Sequence, residues 1–195
     1  PMTDDDVATI VHCEKEDSEG DEKTIEPMAF QHYFVRDRCQ PTVTGFSFEG
    51  MDSARPSDKF LAALESKNLG SILICPSNPF VSVDPVLKLP GILEAMKKSP
   101  APVIAVSPIV GGQAIKGPAA KMMAELGMPA SALAVAKHYQ GRIDGFVIDE
   151  ADADLKEEIQ GLGIPTIVTK SVMVTLEDRI SLAEAVLEFA DELAS

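Results

Sequence analysis

The chain has 195 residues, of which 45% are hydrophobic and 25% charged, and its net charge is −14 at pH 7. This composition is typical of one globular domain with its own core and excludes a disordered chain. The acidic excess and the lack of a basic stripe argue against nucleic-acid binding, and no apolar run approaches the roughly 20 residues that cross a membrane.

The first 50 residues are predicted to be rich in β-strands. Residues 7–13 and 42–49 are predicted as strands, and in the second Val43, Phe46 and Phe48 alternate with small or polar residues. Residues 30–35 are rich in aromatic side chains and fit either a helix or a strand. Residues 14–26 carry seven acidic residues and two lysines, a composition typical of a solvated hairpin tip or loop.

The N-terminus and the cysteines together predict a cytoplasmic protein. The first six residues have neither the basic segment nor the apolar core of a signal peptide. Cys13, Cys39 and Cys75 are widely spaced and odd in number, which favours a reducing compartment over a disulfide framework. Neither the cysteines nor the three histidines have the spacing of metal ligands, so structural roles are expected for the histidines.

From residue 51 onward, short apolar strands alternate with amphipathic helices. The predicted strands are 71–74, 103–106, 145–148 and 165–168, and the predicted helices are 56–67, 90–98, 118–126, 131–139, 152–162 and 176–193. This alternation predicts an α/β, Rossmann-like fold with a mainly parallel sheet, helices on both faces and a small β-rich N-terminal portion. We expect residues 1–50 and 51–195 to belong to one domain, the latter being the nucleotide-binding portion.

Several helix boundaries follow from local chemistry. Pro56, Pro90 and Pro118 suit the first turn of a helix, where a missing N–H costs nothing. Ser131 is a suitable N-cap, and Gly127 is a suitable residue to end the preceding helix.

The last helix is predicted to pack on the core through one face. That face carries Ile180, Ala183, Val186, Leu187 and Ala190.

Two loops that follow predicted strands carry the residues with binding chemistry. Residues 75–82 (CPSNPFVS) follow the first predicted strand of the α/β portion, and residues 107–118 (SPIVGGQAIKGP) follow the second. The loops at the carboxyl ends of parallel strands lie at one edge of a sheet, where ligands bind. Because the two loops are about 30 residues apart, close to one βαβ repeat, the sequence predicts one anion pocket built from both.

The second loop combines glycines with a lysine. Gly111, Gly112 and Gly117 would let backbone N–H groups approach an anion closely, and Lys116 adds a positive charge beside the expected start of a helix. The order of residues is not that of a Walker P-loop. The alternative is a plain turn with a solvent-exposed lysine.

The first loop is rich in hydroxyl and amide groups. Ser77, Asn78 and Ser82 could donate to a phosphate or to the edge of a nucleobase, and Pro79 stiffens the chain. The alternative is an ordinary Asx or Ser turn between a strand and a helix. Together with the second loop, the predicted binding residues are Ser77, Asn78, Pro79, Ser82, Ser107, Gly111, Gly112 and Gly117.

These loops resemble those of the 2-phospho-L-lactate transferase family of deazaflavin-coenzyme (F-420) biosynthesis. The resemblance is carried by residues 75–82, 90–92, 106–112 and 116–123, and it extends to residues 1–5, 30–35, 48–50 and 145–149. The pattern PSNPxxS followed by SPIxGGxxxKGP is specific, whereas a single glycine motif would not be. Cys75 and Gln113 depart from the family pattern, in which glycine and a basic residue are common.

The resemblance implies a transferase. Such enzymes move 2-phospholactate, or a phosphoenolpyruvyl group, from its guanosine diphosphate ester to the deazaflavin Fo and release GMP, with Mg²⁺ assisting. Transfer of this kind depends on positioning and on neutralising charge on the diphosphate. In that reaction Lys116 would be the catalytic cation, and the residues of the two loops would hold the guanosine diphosphate portion. A homodimer is also expected.

The N-terminal part of the family pattern is not matched. The sequence aligns from roughly 110 residues into that pattern, after the glycine-rich turn and the acidic metal ligands. Asp4 is the remaining candidate metal ligand, against a turn of solvated acids. We therefore expect this chain to lack catalysis alone or to need another chain with the missing part. The alternatives are a non-catalytic nucleotide- or phosphosugar-binding module and a structural domain with unused loops.

Overall fold

The computed structural model describes residues 1–16 and 23–194. The strands within these residues are β1 (Ala8–Glu16), β2 (Lys23–Ala29), β3 (Val43–Glu49), β4 (Ile72–Ile74), β5 (Val103–Val106), β6 (Ile109–Val110), β7 (Gln113–Ala114), β8 (Gly145–Ile148) and β9 (Thr166–Val168). The α-helices are α1 (Asp58–Leu64), α2 (Asp84–Leu87), α3 (Ile92–Lys98), α4 (Ala119–Glu125), α5 (Ala132–Tyr139), α6 (Lys156–Gln160) and α7 (Leu176–Ala194). Shorter helical turns occupy His32–Arg36, Met51–Ser53, Pro79–Val83 and Glu150–Leu155.

The predicted parallel sheet is confirmed, with the strand order β4-β5-β8-β9. Each neighbouring pair is parallel. Every residue of the two central strands, β5 and β8, is buried. This burial explains why these strands are continuous apolar runs, since a parallel sheet is covered on both faces.

Helices cover both faces of this sheet, as predicted. On one face Ile104, Val106 and Val147 pack against α7. On the other face Ala105 and Phe146 belong to the large cluster formed with the remaining helices. The alternation follows from the two-residue period of a strand.

The prediction for the buried face of α7 was wrong in part. Ile180, Ala183 and Leu187 are exposed, whereas Leu182 and Phe189, which were not predicted, are buried with the predicted Val186 and Ala190. The helix has more apolar residues than one face can hold. The face that packs against the sheet is the one that carries Phe189. Room for that ring exists because the strand opposite it has a glycine: a Cβ at Gly145 would lie 2.7 Å from Phe189 Cε1.

The N-terminal strands form a separate antiparallel sheet of order β2-β1-β3. Both predicted strands are confirmed, and residues 30–35 contribute to the helical turn His32–Arg36. Val11, Tyr33 and Val43 are buried in the same large cluster as the helices of the α/β portion. The antiparallel sheet therefore shares a core with the rest of the chain.

Much of the acidic segment 14–26 is strand, where a tip or loop was predicted. β1 and β2 pair antiparallel as far as Glu16 opposite Lys23. The two lysines of the acidic segment make ion pairs across these strands, Lys15 with Glu26 at 2.8 Å and Lys23 with Glu14 at 2.9 Å. Cross-strand pairs of opposite charge support β-pairing, which outweighed the loop-like composition. Residues 17–22, on which the rest of the prediction falls, lie outside the described residues.

The predicted helix ends are partly confirmed. Ser131 Oγ caps α5 and accepts a hydrogen bond from a first-turn amide at 3.1 Å, and Gly127 has φ +71° just after α4. Three helices begin later than predicted, so their prolines lie before the first turn. Pro56 and Pro90 precede the N-cap residues, and Pro118 is itself the N-cap. Among the described helices, none combines the length and apolar character that crossing a membrane needs.

Candidate functional site

The two predicted loops meet in one pocket, and a third loop joins them. The pocket has a volume of about 140 Å³ and lies at the carboxyl ends of β4, β5 and β9. The first loop contributes Pro76, Ser77 and Asn78, and the second contributes Ser107, Pro108, Val110, Ile115 and Lys116. The rest of the lining is Ala119 at the start of α4 and Ser171, Val172 and Met173 after β9. We call it the strand-end pocket.

The strand-end pocket brings together some of the predicted site residues and not others. Those that line it are Ser77, Asn78, Ser107 and Lys116. Those that do not line it are Pro79, Ser82, Gly111, Gly112 and Gly117. The first loop lines the pocket only with the residues nearest its strand. The second loop lines it on both sides of the Gly111–Gly112 turn, which itself lies outside the pocket.

Asn78 caps the helical turn Pro79–Val83. Its Oδ1 accepts hydrogen bonds from the backbone N–H groups of Phe80 at 3.0 Å and Val81 at 3.3 Å, while its Nδ2 lies 3.2 Å from Met122 Sδ. This is the Asx-type turn that the sequence left open as an alternative. Residues 79–87, for which the sequence predicted no helix, form this turn and α2. Ser82 lies in the turn and is exposed.

Ser77 and Ser107, the two serines that the predicted loops contribute to the pocket, differ in how their hydroxyls are used. Ser107 is buried, and its Oγ donates to the backbone carbonyl of Ile109 at 2.8 Å. Ser77 is half-buried and makes no side-chain hydrogen bond with the described residues. Ser107 therefore shapes the second loop, and Ser77 has a hydroxyl free for a ligand.

Gly111 and Gly112 form the turn of the β6–β7 hairpin. Their φ angles are +56° and +77°, the positive values that the tightest hairpin turns require and that glycine adopts without strain. The Gly111 N–H donates to the Asp152 carboxylate, 3.1 Å to Oδ2. Burial raises the pKa of Asp152 above its usual value. The backbone donor predicted for a ligand anion thus already holds a carboxyl group of the chain.

Lys116 is the cation at the strand-end pocket. Its side chain is exposed and makes no ion pair or hydrogen bond within the described part of the chain. Gly117, which follows it, has φ +75° and turns the chain into α4. An unpaired ammonium group beside a pocket that also has serine and asparagine side chains is suited to hold a phosphate, which is attracted to it as a point charge.

The sequence reasoning missed the third wall and the residue that holds it. Asp149, at the end of β8, accepts hydrogen bonds from Ser171 N at 2.7 Å, Ser171 Oγ at 3.0 Å and Ala151 N at 3.1 Å. Burial would raise the pKa of Asp149, but these hydrogen bonds outweigh it and the pKa lies below its usual value. The sequence does hold one indication of this role, because Asp149 directly follows a predicted strand and so lies at the edge of the sheet where the loops meet.

Asp4, the candidate metal ligand, lies outside the strand-end pocket. No group of three or more His, Cys, Asp or Glu side chains in residues 1–16 and 23–194 is placed to hold a metal ion. Asp4 lies with Pro1, Ser57 and Asp58 at a different pocket beside α1. Mg²⁺ and the role of Asp4 stay predictions from the resemblance, and no step is derived through the metal.

A solved structure shares the fold. The crystal structure of protein BH3568 from Bacillus halodurans is similar to this chain with a TM-score of 0.59 and 18% sequence identity. The similarity covers 96% of this chain and 60% of that chain. It supports the α/β, Rossmann-like class of the fold.

The chain belongs to the family described as 2-phospho-L-lactate transferase CofD, whose statistical model matches residues 1–190. The 2-phospho-L-lactate transferase of Methanosarcina mazei is 37% identical over 188 residues, which are 96% of this chain and 57% of that protein. The phosphoenolpyruvate transferase of Streptomyces griseus is 36% identical over 194 residues, 99% of this chain and 58% of that protein. The predicted resemblance is confirmed, and the chain spans a little more than half the length of these relatives.

Proposed function

We propose that this chain binds a guanosine diphosphate ester and takes part in transferring its phospholactate or phosphoenolpyruvyl group to the deazaflavin Fo. In this reaction the oxygen of the acceptor hydroxyl forms a new bond to phosphorus and its proton is lost to solvent, while the phosphoanhydride bond breaks and GMP leaves with the electron pair. Support comes from the family and from relatives whose names are 2-phospho-L-lactate transferase and phosphoenolpyruvate transferase. The observation that carries the proposal is the meeting of three loops around an unpaired lysine.

Lys116 and Ser77 are the residues to which we assign the diphosphate. Lys116 would offset negative charge on the transferring group, which is the main contribution a protein makes to phosphoryl transfer. The free hydroxyl of Ser77 would donate to a phosphate oxygen. We do not assign the anion to Gly111, since its N–H already donates to Asp152.

The size of the strand-end pocket limits what it would hold. Its volume of about 140 Å³ is below the roughly 300–1,000 Å³ of pockets that enclose a whole small-molecule ligand. We therefore assign the phosphate groups to this pocket and the guanosine and the acceptor to surfaces outside it.

Calorimetric titration with GDP tests the assignment. We expect GDP to bind the wild-type chain and Lys116→Ala to weaken binding roughly 10- to 100-fold, the range for losing a hydrogen bond to a charged group. The matched control is Lys67→Ala, because Lys67 is exposed, unpaired among the described residues and outside the strand-end pocket. Equal effects of the two substitutions would contradict the role of Lys116.

Titration with Fo separates the transferase from the second candidate, a nucleotide-binding module. That candidate is favoured by the volume of the strand-end pocket, about 140 Å³, which suits phosphate groups and leaves the acceptor outside. Fo binding that strengthens in the presence of GDP supports the transferase. GDP binding that Fo does not affect supports the module, and binding of neither ligand supports a structural domain. Each titration is repeated with and without Mg²⁺.

A further inference from the structure

A second pocket lies on the other side of the segment that carries Lys116. It has a volume of about 510 Å³ and is lined by Phe34, Arg38 and Gln40 on one side and by Gly117, Pro118 and Lys121 on the other. This volume is within the roughly 300–1,000 Å³ of small-molecule sites. We call it the Phe34 pocket.

The two pockets share a wall. Ile115, Lys116 and Ala119 line the strand-end pocket, whereas Gly117 and Pro118, between them in sequence, line the Phe34 pocket. A ligand in one pocket is therefore separated from a ligand in the other by a single short stretch of chain.

The Phe34 pocket offers an aromatic surface. Of the eight phenylalanines, all within the described residues, Phe34 alone is exposed, at 44% of its surface. Its ring is stacked on Phe30, with centroids 5.5 Å apart and an interplanar angle of 26°. The contact with Phe30 restrains the ring, and an exposed ring is a surface on which a flat ligand can stack.

The pocket also offers a free positive charge. Arg38 is exposed and makes no ion pair or hydrogen bond with the described residues. Lys121, by contrast, is held by Glu125 and by the carbonyl oxygen of Pro41 at 2.9 Å. On a chain whose net charge is −14, an unpaired guanidinium group is a local site of attraction for an anion.

The backbone at Arg38 is held in an uncommon conformation. Arg38 and Cys39 have φ angles of +50° and +58°, which non-glycine residues adopt rarely and at a cost in free energy. Hydrogen bonds fix this turn, from Cys39 N to the Tyr33 carbonyl and from Gln40 N to the Asp37 carbonyl, each at 2.9 Å. Such over-determined strain is found preferentially where a protein holds a ligand.

We propose that the Phe34 pocket binds a planar aromatic ligand that carries a negative charge, with its ring on Phe34 and its charge at Arg38. The site goes beyond the proposed function, which concerns the strand-end pocket. In the proposed reaction two molecules have such chemistry, the deazaflavin Fo and the guanine nucleotide. Which of them binds here rests on the proposed function, but the existence of the site does not.

The test is titration with three probes: Fo and the aromatic sulfonate 8-anilinonaphthalene-1-sulfonate, each followed by its own fluorescence, and GDP, followed by calorimetry because the chain has no tryptophan. We expect Phe34→Ala and Arg38→Ala each to weaken binding of at least one probe roughly 3- to 10-fold. Phe34→Tyr, which keeps an aromatic ring, is expected to bind the probe as tightly as the wild-type chain does. The matched controls are Val35→Ala, an exposed apolar residue of the same turn outside the pocket, and Arg179→Ala, an exposed arginine of α7.

Each outcome has one meaning. Weaker binding of Fo assigns the pocket to the acceptor, and weaker binding of GDP assigns it to the nucleobase. Weaker binding of the sulfonate alone supports the site while leaving the proposed function without support. The proposal is overturned if the wild-type chain binds none of the probes, if the Phe34 and Arg38 variants bind normally, or if the controls weaken binding equally.

Discussion

At the scale of single residues, Asp149 illustrates how one carboxylate can organise a loop. Its two oxygens accept from three donors, two of which belong to Ser171 in the wall of the strand-end pocket. A carboxylate with several N–H and O–H donors is stabilised in its charged form. We therefore regard Asp149 as a positioning residue for the third wall.

Asp149→Asn is expected to lower the free energy of unfolding by about 1–3 kcal/mol, because the amide places an NH₂ group against donors. Urea denaturation at pH 7 measures the loss. Asp154→Asn is the control, since Asp154 is exposed and makes no hydrogen bond with the described residues. If the two variants are equally stable, Asp149 does not hold the loop.

The effect of Asp149 has a defined dependence on pH. The pKa of its carboxyl group is lower in the folded chain than the ordinary value of about 3.9. The charged group therefore stabilises the fold at pH values above about 3.9, and this contribution is lost as the pH falls below it. The stability difference between wild type and Asp149→Asn should shrink in denaturation experiments at decreasing pH, and a difference that grows would contradict the argument.

At the scale of elements, the turn Pro79–Val83 depends on a cap. Because Asn78 Oδ1 satisfies two of its first amides, Asn78→Ala should lower the free energy of unfolding by about 0.5–2 kcal/mol. Asn68→Ala is the control, since the side chain of Asn68 is exposed and has no hydrogen bond with the described residues. Thermal denaturation of both variants checks the prediction, and equal midpoints would refute it.

The packing of α7 on β8 depends on Gly145. A methyl group there would lie 2.7 Å from both Phe189 Cε1 and Leu193 Cδ1, so Gly145→Ala should destabilise the fold by about 1–3 kcal/mol through overpacking. Gly70→Ala is the control, because a Cβ at Gly70 meets no atom within 4 Å. Chemical denaturation should separate the two variants, and a neutral Gly145→Ala would show that α7 can shift without cost.

At the scale of the whole molecule, one buried carboxylate connects several elements. Asp84, in α2, lies 2.9 Å from His138 Nε2 in α5, 3.4 Å from Lys88 Nζ and 3.5 Å from Arg142 Nη1. Burial would raise the pKa of Asp84, but the hydrogen bond from His138 and the nearby cations hold it below its usual value. This arrangement gives His138 the structural role that the sequence predicted.

Asp84→Ala is expected to cost about 1–3 kcal/mol of unfolding free energy, because it leaves the half-buried His138 ring without its hydrogen-bond partner. Urea denaturation measures the loss, with Asp52→Ala as the control at an exposed aspartate that has no hydrogen bond in the described residues. A loss below 1 kcal/mol would show that water replaces the carboxylate. The predicted homodimer is a separate question, for which analytical ultracentrifugation is the direct measurement.

Much of this fold could be predicted because its signals are local. Strands β5 and β8 are short apolar runs, and Ser131 and Gly127 mark helix ends by their own chemistry. The loops 75–82 and 107–118 stood out for the same reason, since their motifs are contiguous in the chain. The choice of fold class and family needed nothing beyond such patterns.

The remaining features depend on contacts between residues that are distant in the chain, which periodicity and motifs do not encode. Gly111 meets Asp152, 41 residues later, and so its amide is occupied. The loop after β9 reaches the strand-end pocket across the end of β8, where Asp149 holds Ser171. Gly145 decides which of the apolar residues of α7 are buried. In each case the partner, and not the residue type, determines the role.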